Sequence, residues 1–303
     1  MTKRICPQLL TVGLTVQHFV ISLCALLFFG SVIVLMPAPA LAEEAAVATL
    51  SANLHVENED SAKLDIANRD WSRIGELRKA AFAATQAGEF DQAEKRWSEL
   101  VEQLPEEAAV WSNRGNVRVR RNDLEGAIAD YDQAITLAPT EPDPYLNRGA
   151  LREAMGEWEA AIADYNRVLQ INPDDPAAYN NRGNAEAGLG EWELAIADYQ
   201  AAITLQPRFS LAYGNYALAL YEIGDSQKSL QIMKSLVRKY PSFVDMRAAL
   251  TAALWEAGQR GEAESNWVAV VGLDSRYKDL SWVKNVRRWP PKMVMALDHF
   301  LTL

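Results

Sequence analysis

Cysteine is almost missing from this chain. The only two, Cys6 and Cys24, stand near its beginning. Beyond Cys24 no disulfide and no thiolate metal site can form. Histidine is as scarce, with His18, His55 and His299 the three present. They share no short spacing, which excludes a metal-ligand pair of the HExxH kind. Nucleophile elbows and phosphate-binding glycine loops are also missing. The residues therefore predict no catalytic, metal or cofactor-binding site, no cofactor, and a protein that is not an enzyme. Positive charge is the third shortage. The formal net charge is −10, and Lys3 and Arg4 are the only charged residues before Glu43, so the rest of the chain is more acidic still. A nucleic-acid backbone needs a positive surface, which argues against that class of partner. Apolar residues are plentiful, at 49% of the total, and that is enough for a sizeable core.

The first apolar stretch follows the short basic start. From Phe19 to Met36 the chain carries no charge; Pro37 then breaks it, and Ala40-Leu41-Ala42 precedes Glu43-Glu44. Small residues before an acidic onset predict a secretory signal peptide over 1–42, cleaved after Ala42. The rival reading is a retained anchor, because the uncharged stretch from Ile5 to Ala42 is long enough to span a bilayer. Under either reading the positive end stays inside and the remainder is exported, to a periplasm or a thylakoid lumen, soluble or N-terminally anchored. Residues 43–70 are polar, acidic and without period, which predicts a flexible arm. Asp70 is a good helix cap, so the first helix is expected from Trp71, with Trp71 covering the open end of the helical array.

The rest is dominated by repetition. Residues 108–141, 142–175 and 176–209 are near-copies of one 34-residue unit, each with NRG near its start and AIADY near its end. The phase extends to six units: 74–107, 108–141, 142–175, 176–209, 210–243 and 244–277. Position 8 is small throughout (Ala81, Gly115, Gly149, Gly183, Ala217, Thr251), and so is position 20 (Ala93, Ala127, Ala161, Ala195, Ser229, Ala263). Two facing helices are expected to meet there. Position 15 is glycine or Asn122, residues that tolerate the left-handed backbone ending a helix. Position 24 is large in every unit and is expected to fill the gap between one hairpin and the next. Position 32 is proline in the first five units and Ser275 in the sixth. A period of 34 predicts stacked helical hairpins.

These residues at this spacing resemble the tetratricopeptide repeat family, over 74–277. The resemblance implies an all-α fold, a right-handed superhelical solenoid of six antiparallel helix-turn-helix hairpins with a C-terminal helical cap. It also implies a protein or peptide ligand in a concave groove lined from positions 2, 5, 9, 12 and 13. Carried over, the candidate groove residues are Arg78, Phe82, Ser112, Asn116, Arg120, Asp143, Glu153, Asn180, Asn184, Tyr221, Glu222, Trp255 and Glu256. The family's clamp for chaperone C-terminal carboxylates needs a basic residue at 5 and asparagine at 9 in one unit. Here Arg78 stands with Phe82, and Asn116 with Ser112, so that ligand is not expected.

Two further ladders run through the units. Arg114, Arg148 and Arg182 at position 7 occur in the same units as Asp130, Asp164 and Asp198 at position 23. They vanish together elsewhere, which predicts a structural arginine–aspartate bridge across each hairpin or to its neighbour. The alternative is three arginines facing an acidic ligand. Position 6 reads Asn113, Asn147, Asn181 and Asn215. Asparagine is a poor interior helix residue, so these either tie adjacent helices together or line the ligand surface.

After 277 the period ends. Leu280, Val283 and Val286 have helical spacing, Pro290-Pro291 is a stop, and Met293, Ala296, Leu297 and Phe300 share one face of a second short helix. A solenoid needs a terminal cap, which is the expected role of 278–303. This segment is basic, so peripheral membrane contact through Arg287, Arg288 and Lys292 is the alternative. RYKDLSWVKNVRRWPP also resembles the tail of a repeat family of cyanobacteria and the chloroplast thylakoid lumen, which implies a compartment and not an activity. The expected function is a non-enzymatic protein–protein interaction scaffold, exported, assisting assembly or maintenance of a membrane complex. A self-associating solenoid, or a groove-sited carbohydrate or cell-wall hydrolase, are the alternatives.

Overall fold

The structure is a computed structural model describing residues 69–302. The expected signal peptide or anchor over 1–42 and nearly all of the arm lie outside the described residues, as do both cysteines, His18 and His55. Among the described residues no helix is long and apolar enough to cross a membrane.

Six helical hairpins follow one another. They are α1 (Trp71–Ala87) with α2 (Phe90–Gln103), α3 (Ala108–Arg120) with α4 (Leu124–Leu137), and α5 (Pro142–Met155) with α6 (Trp158–Ile171). Then come α7 (Pro176–Leu189) with α8 (Trp192–Leu205), α9 (Ser210–Ile223) with α10 (Ser226–Lys239), and α11 (Val244–Glu256) with α12 (Arg260–Leu273). The punctuation is local chemistry. Position 15 is left-handed in all six units, with φ 81° at Gly156 and 63° at Asn122. Asp70 accepts from the Arg73 amide at 3.1 Å and starts α1, while Pro142 and Pro176 open α5 and α7. Each hairpin packs on the next, and the first helices α3, α5, α7 and α9 touch in succession. That row of first helices is the inner face of the array.

The close approach at position 8 involves position 20, as expected, with Ser229 donating to the Ala217 carbonyl at 2.7 Å, and also the ring at position 24. A Cβ added to Gly149 would lie 2.7 Å from Cε1 of Tyr165, and Gly115 and Gly183 stand in the same relation to Tyr131 and Tyr199, at 2.8 Å each. The position-24 ring therefore lies flat against the glycine of its own hairpin. Its hydroxyl continues to the inner face. All three tyrosines are buried, with 3% exposure or less. Trp71 does not cover the open end, since it is 54% exposed; Ile74, one turn on, is buried in its place.

The apolar core is divided among the units, as expected where each unit touches only its neighbours. The largest cluster joins units five and six to the tail. The tail is a 3-10 turn (Ser275–Lys278), a short α13 (Leu280–Asn285) and α14 (Pro291–Leu301). Val283 is buried, but Val286 is 60% exposed because α13 has ended. Met293, Ala296 and Leu297 are buried and Phe300 is half-buried. α14 does more than cap the end: it lies across the first helices α11 and α9.

Candidate partner-binding groove

The middle of the array is built on forked ion pairs. Arg114 holds Asp130 through Nε and Nη2 at 2.9 and 2.6 Å. Arg148 holds Asp164 at 3.0 and 2.5 Å, and Arg182 holds Asp198 at 2.6 and 2.7 Å. The remaining Nη1 of each arginine reaches position 25 of the preceding unit: Ser98, Asp132 and Asn166 respectively. Each guanidinium also lies over the aromatic ring three residues earlier, Trp111, Tyr145 or Tyr179. A planar fork grips both oxygens of one aspartate and still reaches a second side chain on the preceding unit, a fixed geometry that a rotating ammonium does not offer. Unit five replaces the arginine with Tyr216, whose hydroxyl accepts from Gln200 of the preceding unit and from Lys228 of its own, at 2.6 Å each. These arginines are spent on the fold, and the aspartates are buried.

A polar rail runs beside them on the inner face. Tyr131 donates to Asn116 at 2.7 Å, Tyr165 to Glu153 at 3.0 Å and Tyr199 to Asn184 at 3.0 Å. Asn215 donates to both Asn180 and Asn184, at 3.0 and 2.9 Å, tying α9 to α7. Asn181 accepts from Asn180, whereas Asn113 turns back to its own helix at Ala109. The position-6 asparagines thus bond in more than one way. Burial pushes the Glu153 carboxyl above its ordinary value, offset by the Tyr165 hydroxyl, the Arg288 charge and Asn184. Burial also pushes the three rail tyrosines well above the usual phenol range.

The other candidate groove residues divide by place. Arg78 pairs with Glu107 at 2.7 Å, and Phe82 meets Trp97 edge-on at 4.8 Å while staying 42% exposed. Asn116, Arg120 and Asp143 are exposed, with Arg120 over the Phe90 ring. Ser112 and Asn180 are buried beneath the face. Toward the C-terminus the chain itself fills the groove. Glu222 accepts the Lys292 amide at 2.8 Å, and its carbonyl accepts the Lys292 ammonium. Trp255 and Trp267 each meet Phe300 edge-on at 5.3 Å. His299 Nδ1 is 3.0 Å from Glu256. Tyr221 is buried there too, its hydroxyl pushed up to about 12 by burial and by the Glu256 charge.

The cap turns on Asp245. One carboxylate oxygen accepts from the Tyr277 hydroxyl at 2.6 Å, Arg287 Nε at 2.9 Å and Trp289 Nε1 at 3.0 Å. Arg288, in the left-handed region at φ 55°, reaches back to the Glu153 and Ala154 carbonyls at 2.9 and 2.8 Å and lies over the Trp158 ring. The three basic side chains offered as a membrane contact are therefore all engaged on the repeats.

One repeat position escaped the sequence reading. Position 11 is Arg118 in unit two and Arg152 in unit three, and each adds a second cation to its hairpin's buried aspartate, at 3.0 and 2.8 Å. In unit four the same position is Glu186, a carboxylate beside Asp198. Its Oε2 is buried without a hydrogen-bond partner, and its nearest cation, Arg182, is 4.0 Å away. Burial first, and the Asp198 charge second, push its carboxyl up to about 7. The signal was the sign reversal at position 11 of an otherwise repeated unit.

Paired helices of 13 to 17 residues, a shared inner face and a left-handed turn in every unit define a helical-hairpin solenoid. The sequence comparison is specific: a TPR repeat description matches residues 115–156 and 150–190, and a tetratricopeptide repeat description matches 176–209 and 215–242. The chain thus carries tetratricopeptide repeats. No curated relative matches it as a sequence. Among solved structures it is similar to a tetratricopeptide repeat protein from Parabacteroides merdae, with 19% identity and TM-score 0.60 over 76% of this chain and 92% of that one. It is also similar to YrrB, described as a TPR protein with an unusual peptide-binding site, at 17% identity and TM-score 0.50 over 68% and 98% of the two chains. A third is MamA from Desulfovibrio magneticus, at 17% identity and TM-score 0.52 over 56% and 96%. At these identities the likeness is one of fold.

Proposed function

We propose that the protein is a non-enzymatic scaffold that holds a segment of a partner protein along the first helices of its N-terminal units. The observation that carries this reading is the polar rail. Tyrosine hydroxyls rising from the second helices fix Asn116, Glu153 and Asn184 on the inner face. Polar groups held in place lose little freedom when a ligand binds, which favours recognition. Exposed Arg120 and Asp143 border the same row. The leader, basic at Lys3 and Arg4 and uncharged from Ile5 to Ala42, and the likeness of the tail to lumenal repeat proteins support an exported setting, periplasm or thylakoid lumen. There the scaffold assists assembly or maintenance of a membrane complex, released after cleavage at Ala42 or tethered by an uncleaved leader.

Crosslinking in native membranes followed by purification tests the scaffold. A discrete protein partner is expected, and its yield should fall when Asn116 and Arg120 are both replaced by alanine. Recovery of this chain alone, crosslinked to itself, would favour the self-associating solenoid. N-terminal sequencing of the same material reads the attachment: Glu43 first means release, and Met1 or Thr2 with resistance to alkaline extraction means an anchor.

A further inference from the structure

The C-terminal end of the groove is closed by the chain's own last helix, and the way it is closed shows what that surface accepts. α14 presents Met293, Ala296, Leu297 and Phe300 to α11 and α9, with Phe300 reaching Trp267 of α12 as well, one apolar stripe at helical spacing. Its opposite face is open, with Met295 55% exposed and Lys292, Asp298 and His299 also exposed. Polar contacts hold its two ends: Lys292 on Glu222 at the start and His299 on Glu256 at the finish. This is how an amphipathic helix is recognised in a groove: apolar anchors at i, i+3, i+4 and i+7, with charged groups at the margins.

The tail is two parts with different attachments. Residues 275–289 are pinned, because Tyr277, Arg287 and Trp289 converge on Asp245 and Val283 is fully buried. α14 starts at Pro291, after the break at Pro290, and meets the repeats through one apolar stripe and a polar contact at each end. It has 11 residues, and a helix that short is marginal in water, so its order comes from the groove. The chain can therefore release α14 and keep its cap.

We propose that the inner face of units five and six is a receptor for an amphipathic helix, and that α14 is its resident occupant, replaced by a partner helix of the same pattern. That partner carries apolar residues at i, i+3, i+4 and i+7 behind a basic residue whose ammonium meets the Glu222 carbonyl. The proposal rests on the scaffold reading and adds a second site to it, one that is closed until a partner competes. Because α14 is tethered, it acts at a high local concentration, and only a helix presented at comparable effective concentration or with better anchors displaces it.

Two measurements on the full chain test this. In native-state hydrogen exchange, the α14 amides should open in a step of their own, ahead of α11. Exchange of α14 only together with α11 would overturn the proposal. The second measurement uses a fluorescent peptide copying residues 290–303. It should bind the Leu297→Glu protein at least about tenfold more tightly than the wild-type chain, because the charged residue ejects the resident helix and removes its local concentration. Lys292→Glu, which sets a carboxylate against the Glu222 carbonyl and beside the Glu222 carboxylate, should act in the same direction and guards against misfolding of the first variant. Equal binding to all three proteins, or none, would overturn the proposal. Neither result touches the scaffold reading, which stands or falls on capture of a partner by the wild-type chain.

Discussion

Single side chains decide two energetic questions. Asp164 is buried and accepts from Arg148 and Arg152 together. Replacing it with alanine strands two half-buried guanidinium groups and should cost about 1–3 kcal/mol in urea unfolding. Arg148→Ala combined with Asp164→Ala should cost less than the sum of the single changes, whereas strict additivity would show that the pair does not interact. Glu186 poses the opposite case, a carboxyl where units two and three have arginine. Its folded value near 7 lies above the ordinary 4.5, so between those values the folded chain holds a proton that the unfolded chain has lost. Stability from this group is complete below the lower value and drains away as pH rises through the upper one. Glu186→Gln should therefore be near neutral at low pH and stabilise at pH ~8 by about 1–3 kcal/mol. An equal effect at both ends of the range would show that the carboxyl is not perturbed.

At the scale of elements, the hairpins and the tail depend on different information. A hairpin is closed by neighbours: Gly149 admits the ring of Tyr165, and Gly156 turns the chain between them. The tail is closed by a single distant acceptor. Asp245→Ala removes the common partner of Tyr277, Arg287 and Trp289. It should loosen α13 and α14 while α1 to α4, which lie beyond the Arg288 contacts on α5 and α6, keep their protection, because a solenoid transmits disturbance mainly between neighbouring units. Hydrogen exchange by segment reads this directly, and uniform loss of protection along the whole array would contradict it.

For the whole molecule, the sequence alone determined the repeat phase, the hairpin boundaries and the arginine–aspartate ladder. The reason is recurrence: a backbone that must turn left-handed at position 15, or an arginine that must meet an aspartate sixteen residues on, leaves the same mark in several units. Local spacing carries that information without knowledge of the fold. The candidate groove list was legible only as positions in a pattern. Which of those residues are open was decided in three dimensions, because Asn116 and Arg120 face solvent while Glu222 and Trp255 meet α14. The strained reach of Arg288 from the tail to Glu153, 135 residues back, leaves no periodic trace. The same holds for the convergence on Asp245 and the unpaired burial of Glu186. Each happens once, between parts of the chain far apart in sequence, and only packing of the finished array brings those groups together.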